Sequence, residues 1–241
     1  MRLTVINKLF LLFLFCFCFF NAACGQTETN KIKLSNEYAR KAFELRQKGN
    51  LESAVQEQSK AVELNPNDGK LLTVLASIYI SLYEQNKLKD DLQKAEIILK
   101  KALELEPGDA VGHDMLAGVF DLLGKKKEAL EESEKVVKLQ PGNLQSLTNL
   151  GSAQNGVGDS QSARETFKKV LQKNPNYAYA LYNYAELELE AGNRAKAIEL
   201  FERGGKAGAV SDNENNTKYI EICRKRLEEL KSQKAKTASP K

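Results

Sequence analysis

Hydrophobic residues recur at helical spacing along most of the chain. Leu72, Leu75, Ala76 and Tyr79 stand at positions i, i+3, i+4 and i+7, which places their side chains on one face of a helix. The stretch from Ala95 to Leu103 shows the same kind of spacing a few turns later. The pattern therefore predicts successive helices, each with one apolar face and one polar face.

The helical pattern is periodic over much longer distances. Prolines at 66, 107, 141 and 175 are separated by 41, 34 and 34 residues. An alanine precedes each of these prolines by 12 residues, and a fifth alanine continues the 34-residue step: Ala54, Ala95, Ala129, Ala163 and Ala197. The chain is thus an array of 34-residue repeats, with a 7-residue insertion in the second.

Glycine and proline mark the ends of the predicted helices. Glycines recur five residues before four of the repeat alanines, at Gly49, Gly124, Gly158 and Gly192. Glycine adopts a positive φ without strain, so it is suited to end the first helix of a pair. The proline that closes each repeat stops the second helix.

These marker residues resemble the tetratricopeptide repeat. In the fourth repeat the match is carried by Leu150, Gly151, Gly158, Asp159, Ala163, Phe167, Val170 and Pro175. In the third it is carried by Leu116, Ala117, Phe120, Gly124, Ala129, Val136 and Pro141. The resemblance covers residues 35–208 and implies two antiparallel helices per repeat, stacked into a right-handed superhelix.

The expected fold is therefore all-α, an α-solenoid of about five tetratricopeptide-type helix pairs with a C-terminal capping helix. The repeats are placed at 35–68, 69–109, 110–143, 144–177 and 178–210. A flexible tether at 24–34, a capping helix at 211–233 and a disordered tail at 234–241 complete the organisation.

Two repeats depart from the pattern. The insertion lies around residues 84–91 and is expected to lengthen the turn of the second repeat or its flanking helices. In the fifth repeat Gly204, Gly205 and Gly208 replace the usual ending, which predicts that its second helix ends early. The helix beyond it places Ile220 and Cys223 on an apolar face, with charged residues opposite.

The first 23 residues are typical of an export signal. Arg2 and Lys8 are followed by the apolar run 9–20, which is shorter than the ~20 residues of a membrane span. The small residues before Cys24 resemble the lipobox of bacterial lipoproteins, which implies cleavage before Cys24 and its lipidation. The alternative is ordinary cleavage after Gly25, which would release a soluble secreted protein.

The composition argues against several classes of function. The 241 residues carry 36 Lys and Arg against 32 Asp and Glu, a net charge of +4, which argues against nucleic acid as a partner. The single histidine, His113, cannot form a multi-histidine metal site and is interpreted as structural. No nucleophile, phosphate-loop or metalloprotease motif is present, so we predict no catalytic residues, no metal and no cofactor.

The resemblance directs attention to the groove that the first helices of such repeats line. The candidate peptide-binding residues there are Thr73, Ser77, Asp114, Thr148, Asn149, Ser152, Asn155, Tyr179, Tyr182, Asn183 and Glu186. Asn149 and Asn183 occupy the same repeat position, and an asparagine amide can both donate to and accept from a peptide backbone. Tyr179 and Tyr182 are candidates for an aromatic platform.

The sequence thus predicts a non-catalytic protein-interaction scaffold of the bacterial cell envelope, lipid-anchored through Cys24. Its partner would be a peptide or helix held in the groove, with a role in assembly of an envelope complex suggested by analogy. The alternative is a regulatory or accessory module of an enzyme complex whose catalytic residues lie on another chain. Neither the identity of the partner nor the oligomeric state follows from the sequence.

Overall fold

The computed structural model describes residues 27–207 and 214–238, with side chains at 27–207 and 216–233. Over those ranges the chain is all-α, and no residue is in a strand. It divides into two compact units at Pro107/Gly108, which we call the N-terminal and C-terminal units. The signal segment, Cys24 and the start of the tether lie outside the described residues.

The N-terminal unit contains two helix pairs. Helix α1 spans residues 27–47. It is followed by α2 (Leu51–Leu64), α3 (Gly69–Asn86) and α4 (Lys89–Leu105). Leu51 and Ala54 of α2 pack with Ile78 and Leu82 of α3 in the core.

The C-terminal unit contains three helix pairs and a final helix. The pairs are α5 (Ala110–Leu122) with α6 (Lys126–Leu139), α7 (Leu144–Gly156) with α8 (Ser160–Lys173), and α9 (Ala178–Glu190) with α10 (Arg194–Lys206). Helix α11 (Glu214–Ala238) packs against both α9 and α10. The core here is built around Phe167, Leu181 and Phe201, each at most 1% exposed.

The helix ends follow the predicted chemistry. Gly49, Gly124, Gly158 and Gly192 have φ between 77° and 87°, the left-handed conformation that a side chain disfavours. Each ends the first helix of its pair. In the second pair Lys87 adopts φ 59° at the same point, so this turn closes without a glycine.

The insertion in the second repeat lengthens its helices. Helices α3 and α4 have 18 and 17 residues, whereas α5 to α10 have 13 or 14. The turn between α3 and α4 contains only Lys87 and Leu88. The added residues therefore extend the helical pair rather than forming a loop.

Helices also extend into both segments that were expected to be unstructured. Helix α1 is present from residue 27, where a tether was expected through 34. Ser35 anchors that helix by donating to the carbonyl of Ala61 at 2.8 Å, and extending an anchored helix costs little. Helix α11 continues to Ala238, into the expected tail, because residues 231–238 include no Gly or Pro.

The prediction that the second helix of the fifth repeat ends early was wrong. Helix α10 has 13 residues, nearly the full length of its counterparts, and contains both Gly204 and Gly205. These glycines let α11 approach closely. A Cβ at Gly204 would lie 2.5 Å from Cys223 Sγ, and one at Gly205 would lie 2.9 Å from Arg224 Cγ.

Candidate functional site

The C-terminal unit has a pocket of about 480 Å³ along its first helices. Helices α5, α7 and α9 supply most of its polar lining, and α6 closes one side with Ala129 and Ser133. The polar residues around it are Asp114, Asp121, Lys126, Ser133, Asn149, Ser152, Asn155, Tyr179 and Glu190. We call this cavity the α5–α7 pocket.

Small residues keep the α5–α7 pocket open. A Cβ built at Gly118 would meet no atom within 4 Å, so the space beside that backbone is empty. Ala117, Ala129 and Ala153 add apolar wall without filling the volume. A ligand can therefore approach the backbone of α5 closely.

Three carboxylates face this space, each held by one hydrogen bond or ion pair. Asp114 Oδ1 accepts from Asn149 Nδ2 at 2.8 Å, and Glu190 Oε2 accepts from Asn155 Nδ2 at 2.8 Å. Asp121 Oδ1 pairs with Lys126 Nζ at 2.6 Å. One ammonium thus stands against three carboxylates, and the pocket is acidic.

Burial affects Asp114 most. Removal of its carboxylate from water raises its pKa above the ordinary value, and the hydrogen bond from Asn149 offsets only part of this effect. Burial therefore makes ionisation of Asp114 less favourable than that of a free aspartate. A cation near Asp114 would favour the charged form of its carboxyl group.

A polar ladder links the first helices of three repeats. The hydroxyl of Tyr179 donates to Asn149 Oδ1 at 2.7 Å, while Asn149 donates to Asp114. Asn183 donates to the carbonyl of Tyr179 at 2.7 Å and accepts from Ser152 Oγ at 3.1 Å. Each of the two equivalent asparagines thus uses one amide N–H and accepts one hydrogen bond within the protein.

Helix α11 covers the tyrosines that were expected to form a platform. The ring of Tyr219 lies 4.4 Å from that of Tyr179 and 5.2 Å from that of Tyr182, between centroids. Arg226 binds both carboxylate oxygens of Glu186, at 2.7 and 3.2 Å. The fifth-repeat end of the expected groove is therefore filled by the chain itself.

Three candidate groove residues are buried rather than exposed to the groove. Thr148 is 0% exposed and donates to the carbonyl of Leu144. Thr73 and Ser77 of the N-terminal unit are also buried, and Ser77 accepts a hydrogen bond from Arg46 at 3.0 Å. Of the candidates, only Asp114, Asn149, Ser152, Asn155 and Tyr179 line the α5–α7 pocket.

Sequence reasoning missed several residues of this region. Lys126, Ser133 and Glu190 line the pocket, and Tyr219 and Arg226 of α11 cover its neighbouring surface. Lys126 and Ser133 lie on a second helix, outside the positions that the repeat pattern assigns to the groove. The single signal for Glu190 was its place at the end of α9, two residues before the helix-ending Gly192.

His113 lies within its own helix pair, as the structural interpretation expects. Its Nδ1 lies 2.5 Å from Glu132 Oε2, and both side chains are buried between α5 and α6. Lys135 also pairs with Glu132 at 2.8 Å. Across the described ranges, no three His, Cys, Asp or Glu side chains converge in a group that could hold a metal ion.

Within residues 27–207 and 214–238, none of the helices combines the length and the apolar character needed to cross a bilayer.

Comparison with known families identifies the repeats. Residues 29–68 and 156–212 each match a model of the tetratricopeptide repeat. A TPR repeat-containing protein of Methanocaldococcus jannaschii is 32% identical over 108 residues. That match covers 45% of this chain and 31% of the archaeal protein, so it spans about a third of the relative's length. Each unit thus contains one segment that matches a tetratricopeptide repeat model.

Solved structures show the same fold. A tetratricopeptide repeat protein from Parabacteroides merdae is 25% identical, with a TM-score of 0.61 over 70% of this chain and 65% of that one. YrrB, described as a TPR protein with an unusual peptide-binding site, is 24% identical, with a TM-score of 0.57 over 73% of this chain and 89% of that one. Pseudomonas aeruginosa PilF is 18% identical, with a TM-score of 0.61 over 87% and 94%.

Proposed function

We propose that this chain is a non-catalytic protein-interaction scaffold that holds a segment of a partner polypeptide in the α5–α7 pocket. The pocket carries the proposal, because it is an open cavity of about 480 Å³ lined by small side chains and hydrogen-bonding groups. Binding sites are typically concave, with a few polar groups that fix the ligand's orientation. Repeat scaffolds bind partners along such surfaces.

The fold supports a protein or peptide as the partner. Tetratricopeptide repeats are scaffolds, and YrrB, which shares this fold, is described as having a peptide-binding site. In this chain the site is formed by α5, α6, α7 and by Tyr179 and Glu190 of α9, while Tyr219 of α11 lies against the rings of Tyr179 and Tyr182.

We further propose that the scaffold works in the bacterial cell envelope, anchored by a lipid on Cys24. The support is in the sequence alone: a basic start, an apolar run and small residues before Cys24. Assembly of an envelope complex is the role we favour for a membrane-tethered scaffold. The lipid anchor would hold the protein at the membrane, and the α5–α7 pocket would select the partner.

Site-specific photo-crosslinking tests the pocket as the binding site. A photoreactive amino acid replaces Gly156, at the exposed rim of the pocket, in the full chain expressed in its native host. The matched control replaces Glu165, exposed on α8 and outside the pocket lining. We expect discrete protein adducts from position 156 that are absent from position 165. The same adducts from both positions would contradict the proposal.

A further inference from the structure

Helix α1 begins two turns earlier than its counterparts in later repeats. Counted back from its repeat proline, Ser35 is the equivalent of Ala110 and Leu144, the first residues of α5 and α7. Helix α1 is nevertheless present from residue 27. Residues 27–34 thus form a helical extension that α5 and α7 do not have, and we call it the α1 overhang.

Every residue of the α1 overhang is exposed. Ile32 is 45% exposed and Leu34 is 41% exposed, whereas the next residue, Ser35, is 0% exposed and bonded to α2. Lys31 and Lys33 flank Ile32, and neither forms an ion pair with a residue that the structure describes. The overhang therefore presents two apolar and two cationic side chains to its surroundings.

The α1 overhang is adjacent in sequence to the proposed lipid anchor. Thr27 follows Cys24 by three residues, and a chain of that length spans at most about 11 Å. An acylated Cys24 lies at the membrane surface, so it confines the start of α1 to the headgroup layer or its edge. The overhang is about 12 Å long, and the headgroup layer is roughly 5–8 Å thick on each side of the bilayer.

The side chains of the overhang favour entry of the helix end rather than of one helix face. Successive helical residues differ in direction by about 100°, so Ile32 and Leu34 point about 160° apart. A helix lying flat on a bilayer would bury only one of these two side chains. A helix end surrounded by headgroups buries both, while Lys31 and Lys33 reach the lipid phosphates.

We propose that the α1 overhang inserts end-on into the phospholipid headgroup layer that holds the acyl chains of Cys24. This inference rests on the proposed lipid anchor and adds a second membrane contact, made by the folded protein. Charge favours the contact, because Lys31 and Lys33 outnumber Glu28, the one acid of the overhang. A helix in this place would hold the N-terminal unit at a fixed distance from the membrane, whereas a flexible tether would allow a range of distances.

Tryptophan fluorescence tests the insertion, because the chain has no tryptophan of its own. The full lipidated chain is reconstituted in vesicles of phosphatidylcholine and phosphatidylglycerol as the variant Ile32→Trp. The matched control is Gln47→Trp, exposed at the other end of α1. Lipids brominated on their acyl chains should quench the tryptophan at position 32 at least about twofold more than that at position 47.

Two double variants, each made in the Ile32→Trp chain, test the contribution of the lysines. Lys31→Gln with Lys33→Gln removes the cations of the overhang. Arg40→Gln with Lys48→Gln removes two exposed cations beyond it. In the same vesicles the first pair should lower the quenching at position 32 by about half, and the second pair should leave it unchanged.

The outcomes separate this inference from the proposed anchor. Equal quenching at positions 32 and 47 in protein that stays in the membrane fraction would overturn the insertion and leave the lipid anchor in place. A tryptophan at position 32 that is shielded from aqueous iodide but not quenched by brominated lipid would indicate cover by a second copy of the chain, and would also overturn the insertion. Protein recovered with an unacylated Cys24 would overturn both.

Discussion

The hydroxyl of Tyr179 donates to the side-chain oxygen of Asn149 across 2.7 Å, from α9 to α7. The same amide group donates to Asp114 of α5 at 2.8 Å. Asn149 therefore joins three successive first helices. Part of its hydrogen-bonding capacity thus serves the stacking of the repeats.

Asn149→Ala should therefore destabilise the protein. The substitution removes both inter-repeat hydrogen bonds and leaves partly buried groups of Asp114 and Tyr179 unpaired. At about 0.5–1.5 kcal/mol per bond, we expect a loss of about 1–3 kcal/mol in the free energy of unfolding. Urea denaturation followed by circular dichroism measures it.

Asn36→Ala is the matched control for Asn149→Ala. Asn36 is exposed on α1, and alanine is the better helix former there. The control should be neutral or slightly stabilising. Equal stability of the Asn149→Ala variant and the wild type would show that the ladder contributes nothing.

Gly151→Ala and Gly118→Ala should change stability in opposite directions. A Cβ at Gly151 would lie 2.6 Å from Phe167 Cε1, in a core where Phe167 is 1% exposed. Overpacking of this kind costs about 1–3 kcal/mol. A Cβ at Gly118 meets nothing, so alanine there should add about 0.5–1 kcal/mol through helix propensity.

This comparison is made by measuring the Tm of each glycine variant and of the wild type by thermal denaturation. A lower Tm for Gly151→Ala and a higher Tm for Gly118→Ala are expected. The same direction of change in both would show that the register of α7 on α8 differs from the one described here.

Asp114→Asn should raise stability at neutral pH. Because burial raises the pKa of Asp114 in the folded state, its neutral form is favoured on folding. That contribution is fully present below the unfolded pKa, about 3.9, and is lost as pH rises through the folded value. The variant should exceed the wild type in Tm at pH 7, and the gap should narrow as pH falls toward 3.5.

The control for the pH experiment is Glu165→Gln, which removes an exposed carboxylate. Its difference in Tm from the wild type should stay small across the range. A stability gap for Asp114→Asn that widens toward acid pH would contradict the described burial of this carboxylate.

Cys223 should resist thiol reagents in the folded protein. It lies on α11 against Gly204 of α10 and is 0% exposed, and burial raises its pKa to about 12. The reactive thiolate is therefore scarce at pH 8. Iodoacetamide labelling followed by mass spectrometry of the Cys223 peptide should show modification only in urea, and rapid labelling without urea would contradict this packing.

The lipid anchor gives a prediction at the cellular level. A diacylated Cys24 should hold the protein in the membrane fraction through a high-salt wash, because two acyl chains anchor firmly at ~0.8 kcal/mol per buried CH₂. Cys24→Ser should release the protein or leave the precursor uncut. A soluble wild type that begins at Gln26 would show that the lipobox interpretation is wrong.

The repeat architecture could be predicted because each helix pair repeats the same local sequence pattern. The apolar spacing, the glycines and the prolines each determine backbone conformation only within about ten residues along the chain. The groove could not be predicted in the same way. Thr148 occupies a groove position in the repeat pattern yet is buried, and Glu186 occupies another but is bound by Arg226, 40 residues away.

The sequence by itself determined the helices, their pairing and the positive-φ turns at glycines such as Gly158. Only the tertiary structure decided which polar side chains remain available to a partner. Gly204 illustrates the difference: local propensity predicts an early helix end, but the close approach of Cys223 makes a glycine necessary inside an intact α10. Local patterns specify backbone conformation, whereas the exposure of a side chain depends on what distant segments bring against it.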